Sequence, residues 1–242
     1  MEERNGLQKF FYRFRFPIYL LLIMWAIQVF QYFTGTNLGF LGIFPKKLYG
    51  LKGILFAPLI HDHADFQHII ANSPPFFFLT TMLLFFYRKV AYRSFAMIYI
   101  LTGLAVWLFG RSHVYHIGAS GVVYGLVAFV FWSGIFRRSL QSIVLALIVT
   151  FLYSGYFMGI LPNQEGVSWE SHLLGGLIGI FTAYWYKSEI EQSEEPKKPS
   201  WEIEGEQQKE FFLPRDAFEK TRAERQREQE EKNNGGWFSN IS

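Results

Sequence analysis

A serine flanked by small residues begins one of the long apolar stretches of this 242-residue chain. In the run Gly118-Ala119-Ser120-Gly121, Ser120 falls at the predicted start of a helix, where backbone N–H groups lack partners and the helix dipole is positive. An oxyanion beside Ser120 would be stabilised there, and Gly118 and Gly121 would let a substrate backbone approach. Tyr124 lies four residues further on, on the same helix face. The pattern predicts a serine nucleophile; the competing interpretation is a small-residue helix contact.

A histidine begins another apolar stretch and could supply the base that a serine nucleophile needs. His172 shares a predicted helix face with Gly175 and Gly179. Gly121 and Gly125 form a matching stripe of small residues, and two helices with such stripes can approach closely. The two segments run in the same direction, so His172 should lie at the depth of the serine. The competing interpretation is an interfacial histidine that makes only a structural hydrogen bond.

A third pair of polar side chains, His68 and Asn72, is spaced by four residues and shares one helix face. Both side chains can donate hydrogen bonds, and their predicted depth matches that of the serine, so they could hold an oxyanion. The competing interpretation is a metal site built from histidines, which would be His61, His63, His68, His113 and His116. The chain contains no H-E-x-x-H motif, which would favour zinc.

Long apolar stretches must position these side chains. Half of the residues are hydrophobic and 19% are aromatic. Six stretches approach the length of about 20 residues that crosses a bilayer, at 17–33, 66–87, 94–110, 118–136, 139–161 and 168–186. A soluble chain of this size would have too little protein left to cover six such helices. The composition therefore predicts an all-α, polytopic membrane protein.

The distribution of charge predicts the orientation and the domain boundaries. Lysine and arginine in the connections favour both termini on the cytoplasmic side of the membrane, which is expected to be a bacterial cytoplasmic (inner) membrane. Residues 1–16 are predicted to be a cytoplasmic N-terminus, and residues 17–186 the membrane domain. Residues 187–242 are predicted to form a charged, largely disordered cytoplasmic tail, the alternative being a charged helix over 215–232. The long apolar connection at 34–65 is predicted to associate with the membrane.

Composition also excludes several functional classes. The chain has no cysteine, which excludes disulfides, thiolate catalysis and cysteine-ligated zinc. A net charge of +3 gives no case for a nucleic-acid partner. A transporter or channel would carry polar groups across the whole bilayer depth, whereas here they gather near one end of the predicted helices.

The three sets of polar residues together resemble the rhomboid family of intramembrane serine proteases. The resemblance covers roughly residues 50–186 and the number and orientation of the helices. It rests on three motifs, which are Ser120-Gly121-Val122-Val123-Tyr124, His172 with Gly175 and Gly179, and His68 with Asn72. By resemblance, the fold is a six-transmembrane-helix bundle with a membrane-associated first loop.

The resemblance also implies a role for each residue. Ser120 would be the nucleophile and His172 the general base and acid, in a dyad that has no carboxylate. His68, Asn72 and the backbone N–H of Ser120 would bind the oxyanion. Tyr124 would pack against the ring of His172. The substrates would be transmembrane proteins in the lipid bilayer, cut near the outer membrane face, and no metal or other cofactor would be required.

Two prolines depart from the family pattern. Pro74 and Pro75 remove two backbone donors and free the carbonyls of Ile70 and Ala71, so a kink is predicted just after Asn72. This feature supports the alternative of an inactive rhomboid-like protein that binds membrane helices. The intact serine, histidine and oxyanion residues favour the protease.

Overall fold

The computed structural model describes residues 6–162, 168–194 and 218–235, and it divides the chain into two units, 1–195 and 196–242. Within the described residues the regular structure is helical, apart from one isolated bridge between Ile43 and His116. The predicted all-α class is confirmed for this part of the chain.

Six helices form the first unit, numbered here α1 to α6. Their bounds are Gly6–Thr34, Phe66–Phe86, Ala91–Phe109, Ser120–Arg137, Leu140–Tyr153 and Trp169–Trp185. The first four are long and apolar enough to cross a membrane, by length and composition. The other two are apolar but shorter, with 14 and 17 residues.

The fifth predicted segment, 139–161, differs from the structure. The α-helix ends at Tyr153, and the chain tightens into a 3-10 helix at Ser154–Ile160. Gly155 and Gly159 fall in this stretch, and glycine has a low helix propensity, which favours the end of the α-helix here. This 3-10 segment reaches the candidate site described below.

Helix α4 is the centre of the bundle. Its most apolar window is 56% buried, whereas the corresponding window of α1 is 22% buried. Side chains of α4 fill the main core, among them Val123, Leu126 and Phe129, each with no exposed surface. The surrounding helices pack against this buried helix, which sets the positions of their residues relative to one another.

Glycines bring the backbones of α4 and α6 into contact. A Cβ on Gly175 would overlap the carbonyl oxygen of Gly121, and a Cβ on Gly179 would overlap that of Gly125. The predicted close approach of the two small-residue stripes is therefore confirmed. Because the contact runs along both helices from their N-terminal ends, it sets the distance between the first turns of α4 and α6.

Helix α2 continues through Pro74 and Pro75 as one α-helix of 21 residues. Two polar side chains just before the prolines hydrogen-bond the preceding turn. Asn72 Nδ2 donates to the carbonyl of His68 at 2.8 Å, and Ser73 Oγ donates to the carbonyl of Ile69 at 2.7 Å. The turn that carries Asn72 is thus hydrogen-bonded to the preceding turn through the carbonyls of His68 and Ile69.

The long connection between α1 and α2 is ordered as a series of short helical turns. They are the 3-10 helices Gly39–Leu41, Leu48–Lys52 and Ala57–Leu59 and the single α-turn Gly53–Phe56. The connection is fastened to α3, where Tyr99 OH donates to the carbonyl of Leu55 at 2.6 Å. Paired backbone bonds of 2.9 Å between Ile43 and His116 also join it to the connection before α4.

The first unit extends beyond residue 186, where the membrane domain was predicted to end. After α6 the chain folds back, and Glu194 forms an ion pair of 2.8 Å with Arg137 at the C-terminus of α4, both side chains being 1% exposed. Ser139, the N-cap of α5, donates to the same carboxylate at 2.7 Å. The high density of charged residues after 186 had predicted a solvated tail. It could not predict these buried contacts, because a buried ion pair and a solvated one use the same residues.

The second unit contains a charged helix, Arg222–Gly235. Thr221 precedes it, and the carboxylate of Glu224 accepts hydrogen bonds from the backbone N–H and the hydroxyl of Thr221. These bonds lower the pKa of Glu224. Over these residues the structure shows the helix that composition had left as the alternative; residues 195–217 and 236–242 of the predicted tail lie outside the described part of the chain.

The glycine contact gives a first prediction. Gly175→Ala should destabilise the protein by roughly 1–3 kcal/mol, because the new methyl group must push the α4 backbone away. Gly176→Ala is a matched control one residue further on, since a Cβ there meets nothing within 4 Å and should leave stability unchanged or slightly raised. Thermal unfolding of both variants in detergent is the measurement. Equal melting temperatures for the two variants would contradict the proposed contact.

Candidate active site

Ser120 and His172 lie within hydrogen-bond distance, each in the first turn of its helix. Ser120 is the first residue of α4, and His172 is in the first turn of α6. The distance from Ser120 Oγ to His172 Nε2 is 2.9 Å, although the two residues are 52 positions apart in the chain. The hydroxyl donates and the ring nitrogen accepts, which is the arrangement of a nucleophile and its base.

The other ring nitrogen of His172 is held by the backbone. His172 Nδ1 lies 2.8 Å from the carbonyl oxygen of Gly159 in the 3-10 segment after α5. A carbonyl can only accept a hydrogen bond, so Nδ1 carries the proton and Nε2 is left as the acceptor. The backbone carbonyl thus does the orienting that a carboxylate does in a three-residue site.

Gly159 itself was missed by the sequence analysis. A Cβ at this position would overlap the hydroxyl of Tyr124 and lie 3.3 Å from His172 Nδ1, so a larger residue would displace the side chains of the site. A carbonyl acceptor carries no side-chain signature. The one available signal was a glycine within a predicted membrane segment, which by itself points equally to helix packing.

Tyr124 supports the ring of His172 from one face. The two rings stack with centroids 4.1 Å apart and an angle of 8° between their planes. Tyr124 OH donates to the carbonyl of Tyr156 at 2.8 Å, and the rings of these two tyrosines lie 5.0 Å apart. His172 is therefore fixed by a stacked ring and by a backbone acceptor, both of which depend on the Ser154–Ile160 segment.

His68 faces the loop that leads into Ser120. A Cβ on Gly118 would lie 2.7 Å from His68 Nε2, so the imidazole approaches the Gly118 backbone directly. Gly118 has φ +102°, a conformation that favours glycine, so two separate reasons require this residue. Asn72 is buried one turn further along α2, and its amide is bonded to the carbonyl of His68.

His61 is a further residue at the site, although from the sequence it was a candidate only for a metal ligand. It is 1% exposed, and its ring meets that of His68 edge to face at 4.9 Å. Its Nε2 accepts the backbone N–H of Ala119, the residue before Ser120, at 3.4 Å. Burial, followed by the proximity of His68, lowers the pKa of His61 to about 3, so the ring is neutral at physiological pH.

A chain of polar groups joins the loop before α4 to the start of α6. His116 Nδ1 lies 2.6 Å from Ser168 Oγ, which in turn lies 2.6 Å from Ser171 Oγ. Glu170 forms an ion pair with Arg111 rather than with His172. Burial lowers the pKa of His116. These contacts hold the first turn of α6 beside the loop that precedes Ser120.

Three of the five histidines considered for a metal site have other partners. His61 and His68 contact each other and the backbone before Ser120, while His116 bonds to Ser168. Among the described residues, no group of three histidine, aspartate or glutamate side chains is placed to hold a metal ion. The geometry that is present is that of a serine with a neutral, oriented histidine, which suits acyl transfer.

Known proteins share sequence similarity with this chain. The family model described as Rhomboid domain matches residues 47–189, which include both Ser120 and His172. Uncharacterized proteins of Mycobacterium tuberculosis and Mycobacterium bovis are 35% identical over 170 residues, 67% of this chain and 70% of each relative. An uncharacterized protein of Mycobacterium leprae is 32% identical over 170 residues, 67% of this chain and 66% of the relative.

The burial of His61 predicts a loss of stability in acid. Its pKa falls from an ordinary value of 6.5 to about 3 on folding, so below pH 6.5 the unfolded chain binds a proton that the folded chain excludes. The contribution of His61 to stability is complete above pH 6.5 and declines as the pH falls toward 3. When the pH falls from 7.5 to 4.5, the free energy of unfolding should decrease more in the original chain than in His61→Gln. The difference between the two decreases should be on the order of 2 kcal/mol.

Thermal unfolding in detergent at the two pH values is the measurement. His63→Gln is the matched control, because the side chain of His63 is 38% exposed and is not part of these contacts. The control should show the same loss on acidification as the original chain. If His61→Gln did so too, the pH dependence would have to come from other groups.

Proposed function

The chain belongs to the rhomboid family, and we propose that it is an intramembrane serine endopeptidase in which Ser120 and His172 form the catalytic dyad. It is an integral membrane protein, with four helices long and apolar enough to cross a bilayer. The observation that carries the proposal is the 2.9 Å contact between Ser120 Oγ and His172 Nε2, with the opposite ring nitrogen bonded to the carbonyl of Gly159.

In the first half of the proposed reaction, Ser120 Oγ attacks the carbonyl carbon of the scissile peptide bond. His172 Nε2 takes the hydroxyl proton, and the positive charge on the ring is stabilised by the Gly159 carbonyl at Nδ1. The tetrahedral intermediate then collapses, and His172 gives the proton to the leaving amine. The products of this half are an amine and an ester between Ser120 and the N-terminal part of the substrate.

In the second half, water attacks the ester. His172 Nε2 removes a proton from the water, and the same proton returns to Ser120 Oγ when the ester bond breaks. The dyad is regenerated, and a carboxylic acid is released. Because the site lies at the N-terminal ends of α4 and α6, water need reach only the end of the bundle and not its middle.

Three groups are proposed to receive the oxyanion of each tetrahedral intermediate. They are the backbone N–H of Ser120, the imidazole of His68 and the amide of Asn72. The approach of His68 to Gly118 supports this role, because it puts a ring nitrogen beside the loop that leads into the nucleophile. The first-turn N–H groups of α4 add the positive end of the helix dipole.

The proposed substrates are transmembrane proteins, cut near the outer face of a cytoplasmic membrane. With both termini cytoplasmic, as the distribution of lysine and arginine favours, the N-terminal ends of α4 and α6 lie at the outer face. The inactive alternative was motivated by Pro74 and Pro75. Because α2 remains one helix through both prolines, the prolines give less reason to expect an inactive protein. The active enzyme is therefore the function we propose.

Cleavage of a reporter tests the dyad. The protein is reconstituted in vesicles with a fluorescent transmembrane substrate, and Ser120→Ala and His172→Ala should each lower the rate by at least about 1000-fold. A fluorophosphonate probe should label the original chain and fail to label Ser120→Ala. Ser193→Ala, an exposed serine after α6, is the control and should behave like the original chain. Equal cleavage by all four proteins would overturn the assignment.

Steady-state kinetics test the oxyanion groups separately. His68→Ala and Asn72→Ala should each reduce kcat about 10- to 1000-fold with a smaller effect on KM, because the oxyanion exists only in the transition state and intermediate. Fluorophosphonate labelling should slow in parallel. A variant that raised KM and kept kcat would place its residue in substrate binding instead.

A further inference from the structure

An apolar cleft of about 240 Å³ lies between α5 and α6, with α4 forming its back wall. Its walls are side chains of these helices and of the 3-10 segment after α5. The lining residues include Tyr124, Trp132, Thr150, Tyr156, Ile160 and Gly176.

The cleft opens among residues that face the lipid. On α5, Leu147 is 64% exposed and Phe151 84%, and on α6, Leu177 is 52% exposed and Phe181 43%. In a protein that spans the membrane, large apolar side chains exposed to this extent contact hydrocarbon. The mouth of the cleft is therefore continuous with the acyl-chain region of the bilayer.

The chemistry of the lining indicates a hydrocarbon chain as the occupant. None of the described lining residues is charged, and Thr150 Oγ1 and Tyr124 OH are both bonded to backbone carbonyls, at 2.8 Å. A phosphate or carboxylate headgroup would have no cationic partner among them. This favours the chain of a bilayer phospholipid over a free fatty acid, whose carboxylate would need such a partner.

The size of the cleft agrees with part of one acyl chain. The volume of about 240 Å³ is far above the roughly 10–15 Å³ of such space that one water needs, so the cleft has room for several methylene-sized groups. A linear, flexible chain can follow the gap between two helices.

One end of the cleft is built from the groups that orient His172. Tyr124 stacks on the His172 ring, and its hydroxyl is bonded to the carbonyl of Tyr156. Tyr156 and Ile160 belong to the segment whose Gly159 carbonyl holds His172 Nδ1. Material that fills the cleft therefore packs against the supports of the imidazole.

We propose that the cleft binds one acyl chain of a bilayer phospholipid, and that this chain supports the Ser154–Ile160 segment and through it the orientation of His172. The catalytic meaning of the second part rests on the proposed protease function. The binding of the chain does not, and both experiments below use readouts that require no catalysis.

Trp132 reports on the binding, because it lines the cleft and bromine quenches indole fluorescence on contact. The full chain is reconstituted in phosphatidylcholine vesicles with or without bromine at the middle of the acyl chains. The Trp132 component is the difference between the original chain and Trp132→Phe. Bromolipid should quench this component several-fold.

Gly176→Phe is designed to fill the cleft, since Gly176 lines it and a Cβ there meets nothing within 4 Å. It should restore at least half of the lost Trp132 intensity. Leu147→Phe, on the lipid-facing side of α5 outside the cleft, is the control and should leave the quenching unchanged. Equal quenching in Gly176→Phe and the original chain would overturn the proposal. Displacement of the bromine signal by the transmembrane reporter would assign the cleft to substrate and would overturn it as well.

Hydrogen exchange tests the support of the segment. Backbone amides of residues 154–160 should exchange several-fold faster in lipid-free micelles of a rigid, steroid-based detergent than in phospholipid vesicles. In Gly176→Phe most of this difference should disappear, because the phenyl ring replaces the chain. A difference of the same size in the two proteins would refute the coupling between the cleft and His172, whether or not the protein cleaves the reporter.

Discussion

Along the contact between α4 and α6, glycine stands where any other residue would separate the two backbones. Gly175 and Gly179 face the carbonyls of Gly121 and Gly125, and a methyl group on either of the first two would overlap them. Because both helices begin at the same end of the bundle, their separation fixes the separation of their first turns. A hydrogen bond tolerates only a few tenths of an ångström of change in length, so the 2.9 Å contact of Ser120 with His172 depends on this row.

The separation of α4 and α6 does not set the orientation of the His172 ring. That orientation is set by the chain after α5. The Gly159 carbonyl fixes the tautomer, and Tyr124 fixes the plane of the ring. Tyr124 is in turn bonded to the carbonyl of Tyr156, so both supports depend on one 3-10 segment. This segment has weaker hydrogen-bond geometry than an α-helix, which explains why its own packing matters for the site.

At the other end of the bundle, a buried ion pair joins the same three helices. Arg137 ends α4, Ser139 caps α5, and Glu194 follows α6 and contacts both. The cost of desolvating Arg137 and Glu194 is offset only while both partners and their hydrogen bonds are in place. The bundle is thus fastened at both ends, by backbone contact near the candidate site and by paired charge at the opposite end, while the lipid-facing cleft lies between α5 and α6.

The sequence by itself determined the all-α membrane class, because apolar length and charge placement follow directly from the solubility of each residue in lipid. It also determined the approach of α4 and α6, since small residues at a spacing of four define a helix face. Only the tertiary structure showed that the Gly159 carbonyl contacts His172, that His61 is buried beside Ala119, and that Arg137 pairs with Glu194. A backbone acceptor has no side-chain signature, and burial of a histidine or a charge depends on what packs over it, which residue type does not encode.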